Sequence, residues 1–295
     1  MSVFQVGATE ALTLDARPPL SEMYTLSPFV WHDGPKWEIL VRAVPRRDDA
    51  PALKIARVYY GTSDDGLHFV MQDTPALGPG PGPEDKDGCE DPTLAICDGV
   101  HYVYYSGWNQ EKGQGQLMLA SGRDCDHLEK RGVRLHSTPE IANPKEATIC
   151  QATDGTWRMF FEYAADEASK IGLASSPNVD GPWTILPPPL AARPGHWDSW
   201  HLSTGPMLIS DPHQPVLIYN GATRDAHWRI GWAALSADFT RVLARSEEPL
   251  IVPPPQAAGR TDIAFSASAV EQCDTVSLYY SIADQDMVRA TLRRS

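Results

Sequence analysis

The residues of this chain best suited to chemistry are its carboxylates, several of which stand beside cations or beside one another. Glu90 and Asp91 are adjacent in the segment Gly88-Cys89-Glu90-Asp91-Pro92. Two neighbouring carboxylates are costly unless they are used or paired. In a regular strand they would point to opposite faces, so one would reach a pocket while the other braces a neighbouring element. Glu146 follows Lys145 in Asn143-Pro144-Lys145-Glu146-Ala147, and Glu162 interrupts an aromatic run in Phe160-Phe161-Glu162-Tyr163. Carboxyl groups of this kind can serve as general acid and base once a fold brings them together. A metal is not expected, because His196, His201 and His227 lack the spacing of a ligand set, and no other cofactor is implied.

The elements that must position these residues are visible as a repeat. An apolar strand ending in a small residue and a Ser or Thr occurs five times, closing at Ser63, Ser121, Ser175, Ser236 and Thr291. A second apolar strand precedes each copy, at Trp37 to Arg42, His101 to Tyr105, Trp157 to Phe161, Val216 to Tyr219 and Val276 to Tyr280. Before each of these comes a polar turn, among them Asp33-Gly34, Asp98-Gly99 and Asp154-Gly155, a strong hairpin signal. Upstream again lie segments that would begin innermost strands, including Ser27-Pro28-Phe29, Glu90-Asp91-Pro92, Lys145-Glu146-Ala147, Thr204-Gly205-Pro206 and Ala264-Phe265-Ser266. A strand-only repeat of this length predicts an all-β chain folded as a five-bladed β-propeller, one four-stranded sheet per blade. A β-sandwich is the competing architecture, but three landmarks recurring in register favour the propeller. The stretch from Phe4 to Leu14 is expected to complete the outer edge of the last blade and close the ring, protecting a sheet edge.

Length and composition agree with one domain spanning residues 1–295. Proline-rich stretches at 79–83, 187–189 and 253–255 read as rigid connectors between blades. A net charge of −13 argues against a nucleic-acid or anionic-membrane partner, since both require a cationic surface. The five cysteines form no CxxC pair, and with no signal-peptide pattern at the N-terminus the simplest expectation is a reducing cytoplasm. A homo-oligomer remains open.

Taken in series, these landmarks resemble glycoside hydrolase family 130, the β-mannoside phosphorylases and β-mannosidases. The chain offers Ile39-Leu40-Val41-Arg42, Glu90-Asp91-Pro92-Thr93, Asn143-Pro144-Lys145-Glu146-Ala147, Ile218-Tyr219-Asn220-Gly221 and Ser281-Ile282-Ala283-Asp284 in the family's order over nearly the whole length. Three departures stand out. Thr93 replaces an arginine, Asn220 replaces a histidine, and Glu162 stands where phosphorylases carry a basic residue. A phosphate dianion needs several cations in one pocket, whereas a carboxylate can deprotonate water. These departures point towards hydrolysis rather than phosphorolysis.

The resemblance implies a small carbohydrate substrate and inverting cleavage, which places acid and base about 6.5–9.5 Å apart to admit a water. It implies Asp91 as the acid, with the proton passing through a sugar hydroxyl. Glu162 or Glu146 is the base, Glu146 alternatively having only a structural role beside Lys145. Arg42, Arg57, Lys145, Asn220 and Asp284 are expected to bind sugar hydroxyls or an anion. Trp108 and Trp200 are expected to offer indole faces to pyranose C–H groups, with His201 as a polar partner. Two other classes fit less well. Arabinanase- and xylosidase-like propellers need an Asp in the first blade, which Ser27-Pro28-Phe29 lacks. A sugar-binding propeller without catalysis would tolerate the missing cations.

Overall fold

The computed structural model describes residues 4–46, 55–256 and 262–294. Five antiparallel sheets follow one another along the chain and form the five blades of a β-propeller. Blade 1 runs outwards through Met23–His32, Trp37–Pro45, Arg57–Ser63 and His68–Met71; blade 2 through Gly88–Cys97, Val100–Asn109, Gln114–Gly122 and Glu129–Leu135. Blade 3 comprises Ala142–Gln151, Trp157–Ala165, Ala168–Ser176 and Thr184–Leu186. In blade 4 the inner edge is split into His201–Ser203 and Met207–Leu208, both paired to Val216–Ala222, with Trp228–Leu235 and Val242–Arg245 outside. Blade 5 contains Ala264–Gln272, Thr275–Ile282 and Asp286–Arg294. Only short 3₁₀ turns, Leu20–Glu22 and Pro83–Asp85, interrupt the strands among the described residues.

The ring closes through the N-terminal segment, and more fully than the sequence suggested. Phe4–Ala11 pairs antiparallel with Asp286–Arg294 as the outermost strand of blade 5. The chain then crosses to blade 1, where Thr13–Asp15 pairs in parallel with its outer strand. One segment therefore fastens the last blade to the first and satisfies backbone groups of both.

Both faces of each blade are covered by a neighbour, so the middle strands are apolar on both sides. Val216–Ala222 is buried at every position. The core is accordingly divided into clusters between blades: Val58, Val103 and Tyr105 between blades 1 and 2, Tyr104, Met159 and Phe161 between 2 and 3, and Ile218, Trp232 and Leu278 between 4 and 5. Close packing also explains two glycines within the repeated strands. A Cβ on Gly172 would lie 2.2 Å from the Phe161 ring, and one on Gly231 would lie 2.4 Å from Trp197. In two repeats the closing Ser builds a turn, whereas Ser121 and Ser175 accept from Arg131 Nε and Arg158 Nη1. Ser63 Oγ donates to Asp65 Oδ1 at 2.9 Å and accepts from the Gly66 amide at 3.0 Å; Ser236 pairs with Asp238 in the same way at 2.5 Å. The most regular feature of the sequence is thus scaffold.

Candidate active site

The inner strands are irregular at matching places. Register shifts separate Leu26 from Phe29, Glu90 from Thr93 and Lys145 from Thr148, in blades 1, 2 and 3. Within these bulges Ser27, Asp91 and Glu146 adopt left-handed backbone, with φ of 52°, 48° and 51°. A non-glycine residue there costs about 1–2 kcal/mol, and such strain clusters where structure over-determines a site. The bulge re-aims the side chain. It also overturns the expectation that Glu90 and Asp91 face opposite ways. Alternation fails at the left-handed residue, and both carboxylates meet one guanidinium: Arg42 Nη2 lies 3.0 Å from Glu90 Oε1 and Arg42 Nη1 lies 3.0 Å from Asp91 Oδ1.

Asp91, Glu146 and Glu162 converge with Arg42, Lys145 and Asp284 on an axial chamber of about 210 Å³, whose wall also includes Ser27, Ser169, Trp228 and Phe265. A second chamber of about 360 Å³ is lined by Glu90, Ser106, Trp108 and Asn143, and shares Lys145, Glu162 and Ser169 with the first. Lys145, Glu162 and Ser169 thus form the boundary between the two compartments. Asp284 is left-handed at φ 54°.

Charge is distributed unevenly over these groups. Asp91 is buried, which disfavours its ionised form, but Arg42 and Lys145 together with a hydrogen bond from Ser27 Oγ at 2.9 Å outweigh burial and hold it below the usual carboxylate range. Burial, reinforced by Asp91, lifts Glu90 above that range despite Arg42. Glu146 is pushed well above it, first by burial and then by the charge of Asp91. Lys145 is stabilised as a cation chiefly by Glu162, its Nζ lying 3.4 Å from Glu162 Oε1. Arg42 stays charged because Asp91, Glu90 and Glu146 together overcome the cost of its burial. Glu162 also accepts a 2.7 Å hydrogen bond from Ser169 Oγ. The Ser169 amide donates to His201 Nδ1 at 3.1 Å, and burial lowers the His201 pKa, so the ring is neutral with its proton on Nε2.

Other residues expected at the site lie elsewhere. Arg57 opens the third strand of blade 1, donates to the Ile55 carbonyl at 3.0 Å and lines neither chamber. Trp200 also lies off both chambers: its Nε1 bonds the Glu167 carbonyl at 3.1 Å, and the Arg224 guanidinium sits 4.6 Å over its ring. Asn220 is fully buried between blades, donating to the Thr204 and Ser266 carbonyls and accepting from the Ser266 amide and hydroxyl. It serves blade-to-blade packing because its short amide is taken up by the Thr204 carbonyl and by Ser266 of the next blade. His201 touches the site through Ser169 and through Trp228, whose ring centroid lies 5.7 Å from its own. Ser27, Ser169 and Trp228 line the axial chamber and were not singled out from the sequence. Trp228, at the start of a blade 4 strand, was legible as an aromatic at the same strand end as the other site residues. Ser27 stood at the inner-strand landmark Ser27-Pro28-Phe29 without a chemical role, and Ser169 had no sequence signal. Among the described residues no group of His, Cys, Asp and Glu could hold a metal ion.

Comparison with known proteins gives a consistent picture. No protein-family model matches the chain. A 1,2-β-oligomannan phosphorylase of Thermoanaerobacter sp. (strain X514) is 26% identical over 235 residues, covering 78% of this chain and 76% of the relative. The β-1,2-mannobiose phosphorylase of Listeria innocua serovar 6a is 26% identical over 254 residues, 82% of this chain and 66% of the relative. The Listeria innocua β-1,2-mannobiose phosphorylase, solved with β-1,2-mannobiose, superposes with a TM-score of 0.79 at 20% identity, covering 95% of this chain and 93% of that one. A structure from glycoside hydrolase family 130, whose mannoside phosphorylases are described as including hydrolases of β-1,2-mannosidic linkages in Candida mannan, superposes with a TM-score of 0.72 at 22% identity over 91% of this chain and 84% of that one.

Proposed function

We propose that this chain, a homologue of the β-1,2-mannoside phosphorylases with the propeller fold of glycoside hydrolase family 130, cleaves the β-mannosidic bond of a short β-1,2-linked mannoside. The observation that carries the reading is the meeting of Asp91, Glu146 and Glu162 with Arg42 and Lys145 at the boundary of two adjoining chambers. Two compartments sharing a charged wall suit a disaccharide whose linkage lies at that wall. Trp108 in one and Trp228 in the other offer ring faces to the two sugars. Carboxyl groups of unequal proton affinity provide the acid and base that glycoside cleavage needs.

Phosphate is the acceptor in the first reading, because the relatives aligned over most of this chain are phosphorylases. The preference for water drawn from Thr93, Asn220 and Glu162 has no counterpart among them. Water nevertheless stays as the second reading, for one structural reason. The cations on the chamber walls, Arg42 and Lys145, are already paired with Glu90, Asp91 and Glu162. A phosphate entering there meets carboxylates whose repulsion the cations do not fully offset.

The deciding experiment incubates β-1,2-mannobiose with and without inorganic phosphate and follows products by NMR. Mannose 1-phosphate formed only with phosphate establishes the first reading. Free mannose formed equally without phosphate establishes the second. No cleavage of any β-mannoside in either condition rejects both.

A further inference from the structure

We infer that Ser27 is a positioning residue for Asp91: its hydroxyl fixes one carboxyl oxygen and leaves the other to meet the substrate. The inference deepens the proposed glycoside cleavage and rests on it, with Asp91 in the acid's place that the family resemblance implies.

The contact joins two left-handed residues from neighbouring blades. Ser27 Oγ donates to Asp91 Oδ1 at 2.9 Å, and the two residues hold φ of 52° and 48° within the bulges of blades 1 and 2. The blade 1 bulge takes the Ser27 amide out of the strand ladder, whose pairing jumps from Leu26–Arg42 to Phe29–Leu40. An amide freed in this way needs another acceptor. Ser281 Oγ of blade 5 accepts from it at 3.0 Å. Ser281 is 2% exposed and, like Ser27 and Asp91, lines the axial chamber. A relay from Ser281 through Ser27 to Asp91 therefore crosses blades 5, 1 and 2. It bridges the same seam that the N-terminal segment closes at the rim.

Charge alone does not require Ser27, because Arg42 Nη1 already lies 3.0 Å from the same Asp91 oxygen. What Arg42 leaves open is rotation. The terminal torsion of an aspartate is broad and roughly two-fold, so a single contact does not decide how the carboxyl plane lies. Two donors on Oδ1, from the first and second strands of blade 1, hold that oxygen, and planarity then places Oδ2. Neither contact uses Oδ2. A proton taken up by Asp91 accordingly sits on Oδ2, since Oδ1 already accepts two. The residue type at position 27 fits this role. Glycine would adopt the left-handed backbone without a steric cost, yet the chain carries a residue that adds a donor.

The test is a double-mutant cycle of Ser27→Gly and Asp91→Asn on β-1,2-mannobiose with phosphate present. Ser27→Gly keeps the backbone conformation and removes only the hydroxymethyl group. It should lower kcat about 10²-fold with KM near wild type. In the Asp91→Asn background the same change should cost nothing further, because a positioning residue acts only through the group that it holds. Equal losses in both backgrounds, a change confined to KM, or wild-type kcat in Ser27→Gly would each overturn the inference. Wild-type protein inert towards every β-mannoside would sink the parent reading instead. Crystal structures of wild type and Ser27→Gly need no substrate and decide the contact separately. The Asp91 carboxyl plane is expected to rotate in the variant, and an unchanged plane overturns the inference.

Discussion

Arg42 Nη1 lies 3.0 Å from Asp91 Oδ1, and this pair joins the second strand of blade 1 to the bulge of blade 2. The same guanidinium holds Glu90, so one side chain neutralises the adjacent carboxylates. Removing it leaves two neighbouring negative charges in a largely buried setting. Arg42→Ala should lose about 3 kcal/mol of stability in urea denaturation, well beyond the loss from Glu90→Gln. Arg42→Lys should restore only part of it, because an ammonium cannot reach both carboxylates through a planar fork. Equal stability of Arg42→Ala and wild type would show that the pair is not formed.

Asp91 and Glu146 should give opposite pH signatures of stability. Asp91 titrates below its unfolded value of about 3.9. Its contribution is present above that value and is lost as pH falls through the folded pKa. The acid limb of a Tm-against-pH curve should therefore flatten in Asp91→Asn. Glu146 titrates above its unfolded value of about 4.3. The folded state is then penalised as pH rises from there through the folded pKa. Glu146→Gln should match wild type at pH 4 and become more stable than wild type as pH increases. Parallel curves at all pH values would contradict the charge assignment of both groups.

Glu162 separates the two acceptors. With phosphate as acceptor, Glu162→Gln removes a repelling charge and should lower the KM for phosphate. With water as acceptor, the same change removes the base and should cost about 10²–10⁴-fold in phosphate-independent turnover. Steady-state kinetics over a phosphate titration reads both.

Trp228, not Trp200, should support the substrate in the axial chamber. Trp228→Ala should raise KM about tenfold, equivalent to about 1.4 kcal/mol. Trp200→Ala should leave KM near wild type, since Trp200 lines neither chamber and Arg224 covers its ring. A larger effect at Trp200 would place the sugar elsewhere.

Asn220 should matter to stability. Asn220→Ala strands the Ser266 amide and the Thr204 carbonyl in a fully buried position. A loss of about 2 kcal/mol in chemical denaturation is expected.

The blade repeat was legible because strand alternation, hairpin turns and small packing residues are local requirements, each written at a fixed distance from the next. Asp-Gly turns and the repeated Ser could be read without tertiary structure. Arg42, Asp91, Lys145, Glu146 and Glu162 were legible as a group because the order of motifs resembles a known family and a propeller brings inner strands together. Their orientations were not legible. Whether Glu90 and Asp91 diverge or converge depends on a left-handed residue inside a bulge, and strand periodicity assumes that no bulge exists. Asn220, Arg57 and Trp200 were misplaced for a related reason. A polar or aromatic residue in a strand has the same identity whether it faces an axis, a neighbouring blade or a loop, and only the assembled ring decides which. The sequence by itself determined five sheets and the carboxylates near their axis. Proton distribution among those carboxylates was decided by tertiary structure alone, because it depends on burial and on cations contributed by other blades.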